Sequence, residues 1–71
     1  MAHQVLAEMV ANVLSVVAEP GATVAAGDII VILESMKMEI PVLAEAGGIL
    51  LDVKVRAGDV VQEGDILAVV A

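Results

Sequence analysis

Residues 21–33 read GATVAAGDIIVIL, and residues 58–70 read GDVVQEGDILAVV. Both stretches place glycine at the same two points, and both run from a Gly-Asp pair into an aliphatic segment. Glycine accepts φ > 0, and a following aspartate can bond its own neighbouring backbone, so each Gly-Asp pair reads as a turn. The aliphatic segment after it is short, rich in β-branched residues and bounded by that turn. Those features mark a strand rather than a piece of helix.

Gly27-Asp28 and Gly64-Asp65 stand 37 positions apart, and the same shift lays residues 4–34 on residues 41–71. Ala7/Ala44, Glu8/Glu45, Leu14/Leu51, Val16/Val53, Gly21/Gly58, Val24/Val61 and Ile29/Ile66 then coincide, while Ile30/Leu67 and Ile32/Val69 exchange one aliphatic for another. The chain is therefore two copies of one unit. Each copy reads strand, turn, short strand, turn, strand. Strands are predicted at 4–8, 12–18, 23–24, 28–33, 38–43, 48–55, 60–61 and 65–70. Val53-Lys54-Val55-Arg56 alternates, which places Lys54 and Arg56 on a wet face and the valines inside. Pro41 cannot donate to a ladder and belongs on a sheet edge or at a non-bonded site. Two such β-halves build an all-β sandwich or flattened barrel with internal pseudo-two-fold symmetry, one domain over residues 1–71.

Composition narrows the function. The chain has 71 residues, 61% of them hydrophobic and none aromatic, so its core is made of branched aliphatics. Its longest uncharged stretch, Met9 to Ala18, is far shorter than the roughly 20 residues of a spanning helix. No Lys or Arg precedes the first apolar segment, which argues against a signal peptide. A net charge of -7 and the lack of aromatic stacking platforms exclude nucleic acid as a partner. There is no cysteine, so neither a disulfide framework nor a thiolate metal site is available, and the acidic residues lack metal-ligand spacing. A cytoplasmic protein is expected. His3, the one histidine, reads as a solvated side chain near the terminus. Ser35 has no base near it in sequence and reads as a turn hydroxyl. Nothing in the chain forms a catalytic constellation, so an enzyme is not expected.

The joint between the two copies is Glu34-Ser35-Met36-Lys37-Met38-Glu39. Strands ending near Glu34 and starting near Met38 require a tight hairpin, with Lys37 at its tip. Two-residue hairpins favour primed turns, which need positive φ and usually hold Asn-Gly or Asp-Gly. Ser, Met and Lys stand here instead, so the tip is expected to carry strain for the sake of its side chains. A solvated lysine is a poor general base but an accessible amine, and methionines offer polarisable surface to a partner. Two readings compete with a functional one: most surface lysines are plain solvated charges, and Met36 and Met38, two apart on a strand, share a face that could be core. The position at the symmetry point favours function.

The Met36-Lys37-Met38 core, the following Ala44-Glu45-Ala46-Gly47-Gly48-Ile49-Leu50 segment and the spacings Gly21 to Asp28 and Gly58 to Asp65 resemble the biotinyl domains, the biotin carboxyl carrier family. The resemblance covers the whole chain. It implies a flattened barrel of two four-stranded antiparallel sheets, with Lys37 biotinylated through an amide at Nζ by a biotin protein ligase. Glu34, Ser35, Met36, Met38 and Glu39 are then recognition residues. The arm would take CO2 as carboxybiotin from a biotin carboxylase to a carboxyltransferase, the domain being a non-catalytic carrier. Ala7-Glu8-Met9-Val10-Ala11 departs from the family's Ala-Pro-Met-Pro/Ala-Gly pattern, and the short Val17–Thr23 connection leaves no room for the protruding thumb of some bacterial carriers. Without a Pro/Ala-rich linker, the chain reads as a small stand-alone biotinylated protein or an excised domain, and its own Met1 favours the former. Two alternatives remain: a lipoyl carrier domain, whose usual setting is Asp-Lys-Ala, or an unmodified interaction module.

Overall fold

A computed structural model describes residues 2–71. Its elements, in chain order, are β1 (His3–Leu6), β2 (Ala11–Val16), β3 (Thr23–Val24), β4 (Ile29–Ser35), β5 (Met38–Leu43), β6 (Gly48–Val53), β7 (Val60–Val61) and β8 (Ile66–Val70). They form two four-stranded antiparallel sheets, ordered β1-β8-β6-β3 and β5-β4-β2-β7. All eight predicted strands are present. The predicted 4–8 and 12–18 end earlier, at Leu6 and Val16, because Ala7 turns to bond Asp65 and because Val17 and Ala18 both donate to the one carbonyl of Ile30. β4 runs two residues beyond its predicted end because the hairpin is so tight that Ser35 still pairs with Met38. β6 stops at Val53, yet the alternation beyond it holds, with Lys54 and Arg56 exposed and Val53 and Val55 half-buried. Pro41 lies on β5, an edge strand.

The shift of 37 seen in the sequence is also the rule for strand pairing. Leu33 faces Ile40 in one sheet and Val70 faces His3 in the other. Val13 faces Leu33, and Leu50 faces Val70; Ala11 faces Val61, and Gly48 faces Val24. The register slips between Val13 and Ser15 recur between Leu50 and Asp52. Each half contributes two strands to each sheet, so neither half can bury its apolar face alone. The second half has no counterpart of the β4–β5 hairpin: at that place β8 ends and β1 begins.

Four turns close the short strands, each with a backbone bond from residue i+3 to residue i: Ala22 to Glu19, Asp28 to Ala25, Asp59 to Arg56 and Asp65 to Gln62. The third residue is Gly21, Gly27, Gly58 or Gly64, with φ between 90° and 97°. A type II turn requires that conformation at its third position, and glycine reaches it without a Cβ clash. In three of the four, the terminal aspartate also accepts a bond at Oδ2 from the first residue's N–H, at 2.8–2.9 Å. The Gly-Asp pairs are thus turns closed from both ends.

The core repeats the symmetry. Ile30, Val31 and Leu33 of β4 are buried beside their equivalents Leu67, Ala68 and Val70 of β8, with Val13 and Leu50, and Val24 and Val61, packed on them. No polar or charged residue is buried as a whole among the described residues. The molecule is elongated, 32 × 18 × 17 Å.

Candidate functional site

Ser35 and Met38 are the last paired residues of the β4–β5 ladder, so Met36 and Lys37 make the whole turn. Both have positive φ, 54° and 65°. That is the backbone of a type I′ hairpin, which matches the right-handed twist of its strands but suits Asn and Gly. A left-handed conformation costs a residue with a Cβ about 1–3 kcal/mol, held in place by the surrounding ladder. These are the two positive-φ non-glycine residues of the described chain.

The tip side chains project into solvent. Met36 is 90% exposed and Met38 66% exposed, so the alternative of a methionine pair in the core is set aside. Lys37 is exposed as well. Among the described residues the one ion pair joins Lys54 to Asp52 at 2.7 Å, which leaves the Lys37 amine unpaired. The hydrogen bond from Lys54, and then its charge, hold the Asp52 carboxyl below its ordinary range. The two lysines thus differ in kind: Lys54 is engaged with a neighbour, and Lys37 is exposed and unpaired among the described residues.

Below the tip, Glu34 and Glu39 stand directly opposite each other across the two strands, and Asn12 of β2 follows in the same row. Facing like charges cost roughly 0.2–1 kcal/mol. The hairpin therefore has a strained turn and a repulsive pair side by side. Glu34 and Ser35 are half-buried, while Glu39 is exposed. The structure brings all six residues, Glu34 to Glu39, into one projecting unit. No group of three metal-ligating side chains occurs among the described residues.

His3 corrects the reading made from sequence. It is half-buried rather than solvated, and its Nε2 is buried with no hydrogen-bond partner among the described residues. The cause is its place in β1, paired with Val70, at the position equivalent to the inward-facing Ile40 of β5. Extending the repeat one residue earlier, 3 onto 40, was the signal that could have found it. His3 lines a partly enclosed cavity of ≈ 150 Å³ together with Leu33 and Ile40.

Comparison with known proteins gives a consistent set of likenesses. A family model described as "Biotin-requiring enzyme" (Biotin_lipoyl) matches residues 3–70. A biotinylated protein TB7.3 homolog of Mycobacterium leprae is 55% identical over 71 residues, the full length of both chains. Among solved structures, the urea carboxylase of Kluyveromyces lactis aligns with a TM-score of 0.94 at 34% identity, over 100% of this chain and 6% of that one. The lipoyl domain of the 2-oxoglutarate dehydrogenase complex of Azotobacter vinelandii aligns with a TM-score of 0.75 at 31% identity, over 87% of this chain and 78% of that one.

Proposed function

The chain belongs to the biotin/lipoyl attachment family, and we propose that it is a biotin carboxyl carrier with its cofactor on Lys37. The observation that carries this reading is the unpaired amine of Lys37, presented by a strained type I′ turn between two exposed methionines. The full-length likeness to a biotinylated protein supports biotin as the acyl group.

In the attachment step a biotin protein ligase supplies biotinyl-adenylate. The Lys37 amine, once it has given up one proton, attacks the acyl carbon and loses a second proton to solvent as the amide forms. The new bond is the Nζ–C amide, the bond that breaks is the acyl–phosphate link, and AMP leaves. The domain's part is geometric. The paired ends of β4 and β5 fix the turn, so the amine arrives at the ligase on a post rather than on a loose loop. Glu34 and Glu39 form an acidic base beneath it, suited to basic residues on a partner. Met36 and Met38 give apolar, adaptable contact on either side.

Once attached, biotin supplies a ring nitrogen that takes up and gives up a carboxyl group. The protein's own residues then hold the tether, and tethering raises the effective concentration of the ring at each partner site without new contacts. A biotin carboxylase and a carboxyltransferase are the two partners this reading requires. The domain itself is a carrier and not an enzyme, and a cytoplasmic location fits such partners. Among the described residues no helix is long and apolar enough to cross a membrane.

The structural likeness to a lipoyl domain makes lipoylation the second reading. Incubation with purified biotin ligase or lipoate ligase, read by intact mass, separates the two. A single biotinyl adduct, mapped to Lys37 by peptide sequencing, is the expected result. A lipoyl adduct without a biotinyl one overturns the proposal, and no adduct from either ligase leaves an unmodified interaction module.

A further inference from the structure

The oxidisable side chains of this protein are few and unevenly placed. There is no cysteine, tryptophan or tyrosine, so an oxidant meets four methionines and one histidine. Two of the four methionines, Met36 and Met38, flank Lys37. Met36 is 90% exposed and Met38 66%, against 37% for Met9, which lines the cavity beside Leu33 and Ile40. The turn accounts for the difference. Met36 stands in the two-residue type I′ loop at positive φ, and Met38 closes the last pair of the β4–β5 ladder. Neither belongs to the buried cluster.

We propose that Met36 and Met38 form an oxidation-sensitive modification site that governs the loading of Lys37. The proposal rests on the attachment reading above. The oxidant class is a peroxide. A sulfur lone pair attacks one oxygen of hydrogen peroxide, the S–O bond forms and the O–O bond breaks. The departing hydroxide takes the proton of the transferred hydroxyl and leaves as water. Sulfur is oxidised by two electrons and the peroxide is reduced by two. Hydrogen peroxide is uncharged, so neither the net charge of -7 nor the facing Glu34 and Glu39 repel it from the tip.

The product changes what the tip offers and leaves the fold alone. A thioether is an apolar, adaptable contact, whereas a sulfoxide is polar and carries a strong acceptor oxygen. A ligase surface that fits the thioethers has to strip water from that oxygen and gives it no donor in return. Lys37 keeps its amine, but the surface that presents it no longer matches. Because Met36 and Met38 stand outside the core, their oxidation removes no packing from the domain. Sulfoxide reductases return the thioether, so the change is reversible.

The test treats the unmodified protein with graded hydrogen peroxide and maps sulfoxides by peptide mass. Oxidation is expected first at Met36, then at Met38, with Met9 slower. Protein carrying both tip sulfoxides should lose about tenfold in kcat/KM for biotin addition by a purified ligase. Its melting temperature should stay that of the untreated protein, and sulfoxide reductases with a thiol should restore the rate. The double variant Met36→Leu, Met38→Leu, compared with its own untreated form, should lose less than about twofold under the same peroxide, a change too small for the cost of a buried polar atom. An unchanged rate in protein mapped as doubly oxidised overturns the proposal, as does a loss that reductase does not reverse. An equal loss in the leucine variant assigns the effect to another residue and overturns the tip site. A fall in melting temperature with tip oxidation overturns the separation of recognition from fold. Failure of the untreated wild type to take biotin overturns the attachment reading instead.

Discussion

Among the described residues five turns require positive φ, and they are built in two ways. Four are type II turns with glycine at the third position, three of them closed by an aspartate carboxylate. The fifth is the β4–β5 hairpin, where Met36 and Lys37 hold the same sign of φ with full side chains. The four follow the local chemistry of turns, and the fifth departs from it. Glycine is used where the backbone alone matters. Methionine and lysine are kept at the tip, at a cost in stability, where the side chains are what the turn presents.

The largest expected effect comes from removing what the tip presents. Lys37→Ala should abolish biotin incorporation by a purified ligase and leave the fold intact, since an exposed substitution usually changes stability by under about 0.5 kcal/mol. Streptavidin blotting and a thermal melt check both halves of that statement. Retained labelling would move the attachment elsewhere.

Next comes Gly27→Ala, or its repeat partner Gly64→Ala. Space is not the obstacle, because a Cβ at either site meets nothing within 4 Å. The φ values of 93° and 90° are. A loss of about 1–3 kcal/mol is expected, which lowers the midpoint by roughly 4–8 °C per kcal/mol for a domain this size. Biotinylation of the folded protein should be unchanged. A melt like that of the wild type would show that these turns tolerate a side chain as the hairpin does, and the contrast would collapse.

Met36→Asn tests the opposite direction. Asparagine tolerates the left-handed region and suits the first position of a type I′ turn. The variant should be more stable by about 1 kcal/mol, a fraction of the strain at stake, and a poorer ligase substrate. Denaturant titration and ligase kinetics read the two effects. If stability falls, the strain assigned to the tip is wrong.

The smallest effect is expected far from the tip. Asp52→Asn removes the ion pair with Lys54, which is exposed and screened. Because the Asp52 carboxyl is held below its ordinary range, the pair contributes above that range and is lost as pH falls through the lowered value. The melting difference between wild type and Asp52→Asn should be slight at neutral pH, and it should disappear on acidification or in high salt. A difference that grows in acid would reverse the sign of the linkage.

Much of the fold was legible because the repeat is written twice. The Gly-Asp pairs located the turns, and the 37-residue shift carried over into the register without an offset, since paired halves must bury the same face at each step. Val5/Val42 and Leu6/Leu43 are further identities that the shift brings, and they line the cavity from both edge strands. The hairpin site was legible too, as the single place where a short connection joins the copies. Strand ends were less so: Leu6 and Val16 stop their strands because of hydrogen bonds to Asp65 and Ile30, which are remote in sequence.

By itself, then, the sequence determined the two-fold pattern of strands, the five tight turns and the lysine placed between the halves. These are matters of local backbone chemistry and period, and a linear chain carries them. The tertiary structure decided what happens to His3 and where the cavity lies. A histidine near a chain end has no local reason to be buried. It becomes half-buried because β1 pairs with β8 and its sheet edge lies beside β5 of the other sheet, and residues of both strands line the cavity there.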